Sequence, residues 1–157
     1  MTMSEHQNKA NSNAGEYITF RIGSQYFCVD IMSVREIRGW TPATTLPRAP
    51  GFVRGVINLR GVVLPVIDLA ERLGFAPAVP TPRHVIIVAQ TGRQVVGLLV
   101  DAVSDIIALA SDKVQPTPDV GSEAARCFVT GVMAIDDRMV SVIALDSVMP
   151  NVSGEAA

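Results

Sequence analysis

Residues 55–69 read GVINLRGVVLPVIDL, two apolar runs separated by a short polar break. Val, Ile and Leu dominate both runs, and the β-branched residues among them are typical of β-strands. Arg60 and Gly61 stand between the runs, and this pair predicts a two-residue hairpin turn in which the glycine takes a positive φ. Pro65 cannot donate a ladder hydrogen bond, so the second strand is predicted to be an edge strand or to be bulged there. The stretch therefore predicts a β-hairpin with an arginine at its tip.

The chain repeats this hairpin pattern further on. Residues 131–145 read GVMAIDDRMVSVIAL and align with 55–69, so that Gly55 falls on Gly131 at an offset of 76 (131 − 55). The acidic pair DD stands where the first hairpin has its Arg-Gly turn, and it is interpreted as a solvated turn. The alignment predicts two hairpins of the same kind in one chain.

A second internal similarity lies upstream of each hairpin, between 18–37 and 84–107. Each segment is an apolar strand, a polar turn, a second apolar strand, an Asp, and a Ser three residues later. Asp30 falls on Asp101 at an offset of 71 (101 − 30). Together the two similarities predict a duplicated all-β chain with about five short strands in each half.

The domain organisation follows from the repeat and from the prolines between its halves. The segment FAPAVPTP carries three prolines and is interpreted as a linker. Short helices are predicted at 68–74, closed by a glycine, and at 144–150. The predicted division is a disordered tail at 1–15, a first β-barrel subdomain at 16–75, a Pro-rich linker at 76–82, a second β-barrel subdomain at 83–150, and a C-terminal tail at 151–157.

Composition excludes several classes of function. The net charge is −2 and the pI is about 5.6, so the chain lacks the basic footprint of a nucleic-acid-binding protein. No uncharged apolar run approaches the roughly 18 residues of a membrane span, so direct membrane insertion is not expected. Two His and two Cys, none paired at short spacing, do not predict a metal site. Cys28 and Cys127 are expected to be buried free thiols in a reducing cytoplasm.

Two protease classes are built from paired β-barrels, so their catalytic residues are the natural ones to seek. A pepsin-like site needs a matching Asp in each half, but Asp68 aligns with Ala144. A chymotrypsin-like site needs a positioned His, but His6 lies in the tail and His84 opens a strand. No cofactor motif is present either. The sequence predicts no catalytic residue and no cofactor, and it leaves Arg60 equally open as a recognition residue or a simple exposed turn residue.

Four segments in order resemble the CheW family, whose members are adaptor proteins of bacterial chemotaxis. They are VDIMSVREIRG at 29–39, VRGVINLRGVVLPVIDL at 53–69, GLLVDAVSDI at 97–106 and VTGVMAIDDRMVSVIAL at 129–145. The resemblance covers about 16–150. It implies an all-β fold of two tandem five-stranded SH3-like barrels with short helices.

The resemblance also implies a function. The expected protein is a non-enzymatic adaptor that couples transmembrane chemoreceptors to the histidine kinase CheA by bridging the receptor's cytoplasmic tip and the kinase regulatory domain. The alternative is a CheW-like scaffold of another chemosensory system, such as one for pilus motility. Either protein would be cytoplasmic and associated with membrane receptor arrays.

Residue roles are implied in the same way, position by position. Some residues match receptor-binding positions, others match outward apolar positions that dock the kinase, and three glycines match family glycines of structural importance. The implied receptor-binding residues are Val34, Glu36, Asn58, Leu59, Arg60 and Gly61; the kinase-binding residues are Ile18, Ile31 and Val34; and the structural glycines are Gly55, Gly97 and Gly131.

Overall fold

The structure is a computed structural model that describes residues 15–108, 114–116 and 127–149. The predicted tails fall outside these residues, except for Gly15 at the end of the N-terminal one. Across the described ranges, no helix is long and apolar enough to cross a membrane.

Ten β-strands, a 3-10 turn at Ile31–Ser33 and two short helices, one after each of two hairpins, make up most of the described chain. The strands are β1 Glu16–Ile22, β2 Gln25–Asp30, β3 Val34–Gly39, β4 Val53–Leu59, β5 Val62–Asp68, β6 Val85–Thr91, β7 Gln94–Val100, β8 Ala102–Ala108, β9 Val129–Ile135 and β10 Arg138–Ile143, and the helices are α1 Leu69–Arg72 and α2 Leu145–Val148.

The strands form two five-stranded sheets. The first sheet has the order β8-β1-β2-β10-β9, and the second has the order β3-β6-β7-β5-β4. In the first sheet β2 and β10 run parallel, and in the second β5 and β7 do, while the other neighbours are antiparallel. The predicted all-β class with two five-stranded units and short helices is confirmed.

The division of the chain differs from the predicted tandem one, because each sheet takes strands from both halves. Residues 16–75 supply β1 and β2 to the first sheet and β3, β4 and β5 to the second. Each strand of the first sheet has a repeat equivalent that lies five strands away along the chain. When every strand in the order of the first sheet is replaced by its equivalent, the result is the strand order of the second sheet. The boundaries at 16–75 and 83–150 therefore separate the repeats and not the sheets. The physical reason is that a strand's apolar pattern fixes its faces but not its neighbour.

The strand register also corrects the offset between the upstream segments. The β1–β2 and β6–β7 hairpins turn at Gly23 and Gly92, both with positive φ, and these lie 69 residues apart (92 − 23). Ile37 of β3 and Ile106 of β8 hold equivalent places in their ladders, also 69 apart (106 − 37). The predicted offset of 71 is therefore wrong by two residues.

A consequence is that Asp101 corresponds to Met32 (101 − 32 = 69) and not to Asp30. Met32 lies in the 3-10 turn where the chain crosses from the first sheet to the second. Asp101 lies between β7 and β8, where the chain crosses back. The two residues occupy the two crossovers of the fold.

Three apolar cores explain why so many strands are apolar on both faces. A shared core between the sheets includes Phe20, Val29, Ile67, Ile87 and Leu98. A second core lies inside the second sheet, around Ile57, Leu59, Leu64, Val66, Ile86, Val88 and Leu99, and a third inside the first sheet, around Cys28, Met133, Val140 and Val142. β2, β5, β6, β7 and β10 therefore supply buried residues both to the shared core and to the core of their own sheet.

The prediction that the strand of Pro65 is an edge strand or is bulged there is wrong, because β5 lies between β7 and β4 and the register shift of the β4–β5 ladder falls between Val53 and Gly55. In the two-residue hairpin, Val56 and Pro65 face each other at a non-hydrogen-bonded position, so the proline nitrogen points toward β7. The parallel ladder with β7 begins only at Val66. Pro65 therefore removes no hydrogen bond from either of the two ladders that β5 forms.

The helix predicted at 68–74 is confirmed. Asp68 caps α1 by accepting a hydrogen bond from the Glu71 backbone N at 3.3 Å, and Gly74 follows with φ of 97°.

Of the two cysteines, Cys28 is buried and Cys127 is exposed, and both are free thiols. The expectation that both are buried was wrong for Cys127. Burial raises the pKa of the Cys28 thiol to about 12.

Candidate interaction surfaces

A cleft of about 480 Å³ opens at one end of the second sheet. Its floor consists of side chains from the core inside that sheet, and its rim carries charged residues from β3 and from the β4–β5 turn. It is lined by Arg35, Glu36, Leu59, Arg60, Val62, Leu64, Val88 and Val95. We call it the second-sheet cleft.

The predicted hairpin turn forms one wall of this cleft. Leu59 pairs with Val62, and the two residues between them have φ of 53° at Arg60 and 88° at Gly61, the pattern of a type I′ turn. The Asn58 side-chain oxygen accepts a hydrogen bond from the Gly61 backbone N at 2.8 Å. A positive φ was expected for the glycine alone. Arginine rarely adopts this conformation, so the turn holds Arg60 in a costly but defined place.

Arg60 forms an ion pair across the mouth of the cleft. Its guanidinium nitrogen lies 3.0 Å from the Glu36 carboxylate, and Arg38 lies 3.5 Å from the other carboxylate oxygen. The hydrogen bond from Arg60 is the main reason that the pKa of Glu36 lies below its ordinary value. The Arg60 side chain remains 69% exposed and Glu36 27%, so the guanidinium can still reach a partner.

The structure brings together five of the six residues implied for receptor binding. Glu36, Asn58, Leu59, Arg60 and Gly61 all lie at this end of the second sheet. Leu59 is buried, but it forms part of the cleft floor.

Val34 is different, because it is half-buried at the start of β3 and packs against the shared core. It lies beside Ile31, which is half-buried on the 3-10 turn. These two residues form the accessible part of the implied kinase face.

Ile18 is a correction. It was predicted to point outward, but its side chain is only 2% exposed. β1 lies between β8 and β2, and Ile18 shares a strand face with Phe20 of the shared core. A partner could not touch Ile18 without opening the sheet.

The three glycines each stand where another part of the chain approaches the backbone. A Cβ on Gly55, whose φ is 146°, would lie 2.2 Å from the Thr44 carbonyl oxygen. A Cβ on Gly131 would lie 2.7 Å from the Gln115 oxygen, and one on Gly97 would lie 2.7 Å from the Ile86 side chain. Gly55 and Gly131 are repeat equivalents, and the Thr44–Val56 and Gln115–Val132 bridges beside them correspond as well.

The first sheet has a counterpart of the cleft that sequence reasoning did not find. Seven of its lining residues are repeat equivalents of residues that line the second-sheet cleft, by offsets of 69 and 76. They are Thr19, Tyr26, Asp105, Ile135, Asp136, Arg138 and Val140, equivalent to Val88, Val95, Glu36, Leu59, Arg60, Val62 and Leu64. Arg138 stacks on the Tyr26 ring at 4.4 Å, so a cation and an aromatic ring stand where the second-sheet cleft has Val62 and Val95.

Within the described ranges, no group of three His, Cys, Asp or Glu side chains could hold a metal ion, at either mouth or elsewhere. His84 lies elsewhere, 3.3 Å from Asp101, and its Nδ1 accepts a hydrogen bond from the Thr81 backbone N at 3.0 Å. Its contacts hold a turn in place.

The lining residues that sequence reasoning missed are Arg35, Val62, Leu64, Val88 and Val95. Leu64 and Val62 lie at alternate positions of β5, and this alternation is a signal that could have placed them on one face. Val88 and Val95 come from β6 and β7, in the other half of the chain, so only the strand pairing brings them here.

The described chain is thus built of two interleaved five-stranded sheets, each with an open cleft. A family model for the CheW-like domain matches residues 16–153. A probable chemotaxis protein CheW of Rhizobium etli is 59% identical over 147 residues, covering 94% of this chain and 95% of the relative. The chemotaxis protein CheW of Rhizobium meliloti is also 59% identical, covering 93% and 95%.

A solved structure is similar as well. The scaffolding protein TtCheW of Thermoanaerobacter tengcongensis superposes with a TM-score of 0.76 at 32% identity, covering 83% of this chain and 88% of that one. The chain belongs to the CheW family. It is a scaffold protein of chemotaxis, as the resemblance predicted.

Proposed function

We propose that this scaffold couples transmembrane chemoreceptors to the histidine kinase CheA, with the receptor's cytoplasmic tip in the second-sheet cleft. The observation that carries the proposal is the position of Arg60, an exposed cation held by a rigid turn at the rim of an apolar cleft. This arrangement would hold the protein on the cytoplasmic side of a receptor array.

The cleft fits a helical hairpin tip on physical grounds. Val62, Leu64, Val88 and Val95 offer apolar walls and floor to an apolar helix ridge. An exposed ion pair contributes little affinity, so burial of the ridge supplies most of the binding free energy. Arg60 sets the register by meeting a carboxylate or a helix-end carbonyl of the receptor.

The charged rim also contains polar atoms whose hydrogen-bonding capacity is not fully used within the protein. Glu36 Oε2 is buried with only the 3.5 Å ion pair to Arg38, and Arg38 Nε is buried without a hydrogen-bond partner among the described residues. Buried polar atoms normally find a partner. A receptor side chain that donates to Glu36 would supply one of the missing bonds.

The kinase regulatory domain would bind at Ile31 and Val34. These half-buried apolar residues lie around the first crossover, away from the cleft floor. One protein that binds both partners at once forms a bridge, through which receptor state can bias the kinase.

The test of the receptor site is a binding titration with a receptor cytoplasmic fragment. Arg60→Glu is expected to weaken binding by about tenfold or more, because a like charge facing a receptor carboxylate is costly, while the protein stays folded. Arg83→Glu is the matched control, since Arg83 is an exposed arginine just before β6, at the opposite end of the same sheet from the cleft. Equal affinities for wild type and Arg60→Glu would refute the proposed receptor site.

The test of the kinase face uses a kinase regulatory-domain fragment in the same assay. Ile31→Asp is expected to weaken kinase binding and to leave receptor binding intact. Arg60→Glu is expected to show the opposite pattern. If the wild type binds neither fragment, the coupling function fails.

The alternative is a scaffold of another chemosensory system, such as pilus motility. Relatives that are 59% identical are called chemotaxis proteins, which favours receptors of chemotaxis. Tip fragments from both kinds of receptor, compared in the same titration, would separate the two.

A further inference from the structure

The linker between the repeats is bonded to the rest of the chain at two places. Near its start, the Ala78 backbone N donates to the buried Asp68 carboxylate at 2.8 Å. At its end, Thr81 and His84 form a turn in which the His84 backbone N donates to the Thr81 carbonyl at 2.9 Å. We call this second attachment the linker turn. Its side-chain acceptor is an imidazole, whereas the first attachment uses a carboxylate.

Both nitrogens of the His84 imidazole are engaged. Nδ1 accepts a hydrogen bond from the Thr81 backbone N at 3.0 Å and lies 3.1 Å from the Thr81 hydroxyl oxygen. Nε2 lies 3.3 Å from Asp101, whose carboxylate also accepts a hydrogen bond from the Gly23 backbone N at 2.8 Å. An imidazole nitrogen accepts a hydrogen bond only while it carries no proton. The linker turn therefore requires a neutral ring whose one proton is on Nε2.

The imidazole lies where several parts of the fold meet. The His84 carbonyl accepts a hydrogen bond from the Trp40 backbone N at 3.1 Å, just after β3. Asp101 lies at the second crossover, and Gly23 is in the turn of the β1–β2 hairpin of the first sheet. A cavity of about 450 Å³ lies between that hairpin turn and the linker, and His84 and Asp101 line it together with residues 75–79. A change at the linker turn therefore acts on a wall of this cavity.

A second proton, added to Nδ1, has opposing effects on the surroundings of the ring. It turns the acceptor into a donor, so the Thr81 N–H would face another N–H and lose its bond. The Thr81 hydroxyl oxygen offers the new Nδ1–H an acceptor, and the Asp101 carboxylate favours the positive charge. The charged ring can thus keep its place while the Thr81 backbone must move. The charged residues of the elements around the ring are Asp101 in the second crossover, Arg83 in the linker turn, Arg38 on β3 and Arg21 on β1.

We propose that the linker turn is a proton-sensitive attachment, closed while His84 is neutral and open once the imidazole carries a second proton. Histidine ordinarily changes its charge between about pH 5 and 8, which is the range in which the turn would respond. The attachment at Ala78 contains no imidazole and keeps its bond, so the linker loosens at one end only, beside the cavity. This property involves none of the residues proposed to bind a receptor or the kinase.

The test is NMR of the full-length chain with 15N labelling. His6→Gln removes the other histidine of the sequence, so His84 gives the only imidazole signals. At neutral pH we expect a protonated Nε2, an unprotonated Nδ1, and a coupling across the hydrogen bond between Nδ1 and the Thr81 amide nitrogen. Acidification is expected to abolish this coupling and to shift the Thr81 amide signal with the same midpoint as the imidazole signals. The Ala78 amide signal should not follow that midpoint.

His84→Asn is the matched variant. The asparagine Oδ1 can take the place of Nδ1 and accepts a hydrogen bond from Thr81 without titrating in this range. Its Thr81 amide signal is therefore expected to stay constant over the pH range in which the histidine protein changes.

Three outcomes would overturn the proposal. The first is a ring protonated on Nδ1 at neutral pH, and the second is a Thr81 amide signal that does not follow the His84 titration. The third is a pH-dependent shift of equal size in His84→Asn, because the shift would then come from another group.

Discussion

Arg60 and Glu36 form an ion pair, 3.0 Å between nitrogen and oxygen, that links the two edges of the second sheet. Glu36 lies on β3, at one end of the strand order, and Arg60 lies in the turn after β4, at the other end. The pair spans the open seam of the sheet at the mouth of the cleft. The arginine is thereby preorganised at the site where a receptor is proposed to bind.

This relationship makes a prediction about the pKa of Glu36. Arg60→Gln is expected to raise that pKa toward its ordinary value of 4.5, because the Arg60 hydrogen bond is the largest cause that lowers it. In the wild type, the pair's contribution to stability is present above the ordinary pKa and is lost as pH falls through the lowered one. An NMR titration of the Glu36 carboxyl carbon measures both midpoints. Arg93→Gln should leave the midpoint unchanged, and equal midpoints in Arg60→Gln and wild type would contradict the prediction.

The glycines predict a graded loss of stability. Gly55→Ala is expected to destabilise the fold by about 2 kcal/mol or more, because its Cβ would meet the Thr44 backbone at a positive φ. Gly97→Val is expected to cost about 1–3 kcal/mol, because the Ile86 side chain must move. Gly39→Ala is the control, since nothing beyond its own chain neighbours lies within 4 Å of the methyl group that alanine would add. Denaturant unfolding gives the free energy of unfolding for all three variants. A Gly55→Ala protein as stable as Gly39→Ala would contradict the prediction.

Asp68 binds the start of the linker, and we expect its substitution to lower the free energy of unfolding. It is 1% exposed and accepts hydrogen bonds from the backbone N of Ala78 at 2.8 Å and of Glu71 at 3.3 Å, and from Arg54 at 3.2 Å. Asp68→Asn replaces one acceptor oxygen by a donor, which is expected to cost about 2 kcal/mol. Asp137→Asn, at an exposed turn, should change stability by no more than about 0.5 kcal/mol. Similar thermal unfolding of the two variants would show that the Asp68 contacts contribute little.

Arg72 joins the two repeats. Its guanidinium lies 4.1 Å from the centre of the Phe52 ring and 4.9 Å from that of Phe128, which are repeat equivalents (128 − 52 = 76), and it donates to the carbonyls of Ser147 and Val148. Arg72→Met is expected to lower the free energy of unfolding by about 2 kcal/mol, because the ring contacts and charged hydrogen bonds are lost. Chemical denaturation measures the change. Arg72→Lys should lose less, since it keeps the charge, and a larger loss for Lys than for Met would contradict this account.

Much of the local structure could be predicted from the sequence. The hairpin at 55–69 and its turn, the helix at 68–74 and the duplication all follow from short-range patterns. The burial of Ile18 could not be predicted, because alternation shows which residues share a face but not what covers that face. The positive φ of Arg60 was also missed, since both residues of a type I′ turn require it and arginine seldom provides it.

The sequence by itself determined the strands, their turns and the two equivalent halves, because these depend on residues close together along the chain. Only the tertiary structure decided that the halves exchange strands, that Glu36 meets Arg60, and that valines of β6 and β7 complete the cleft. The physical reason is that apolar strands of similar composition can pair in several ways with similar local energy. The pairing that the chain adopts is the one in which the apolar side chains of all three cores are buried at the same time.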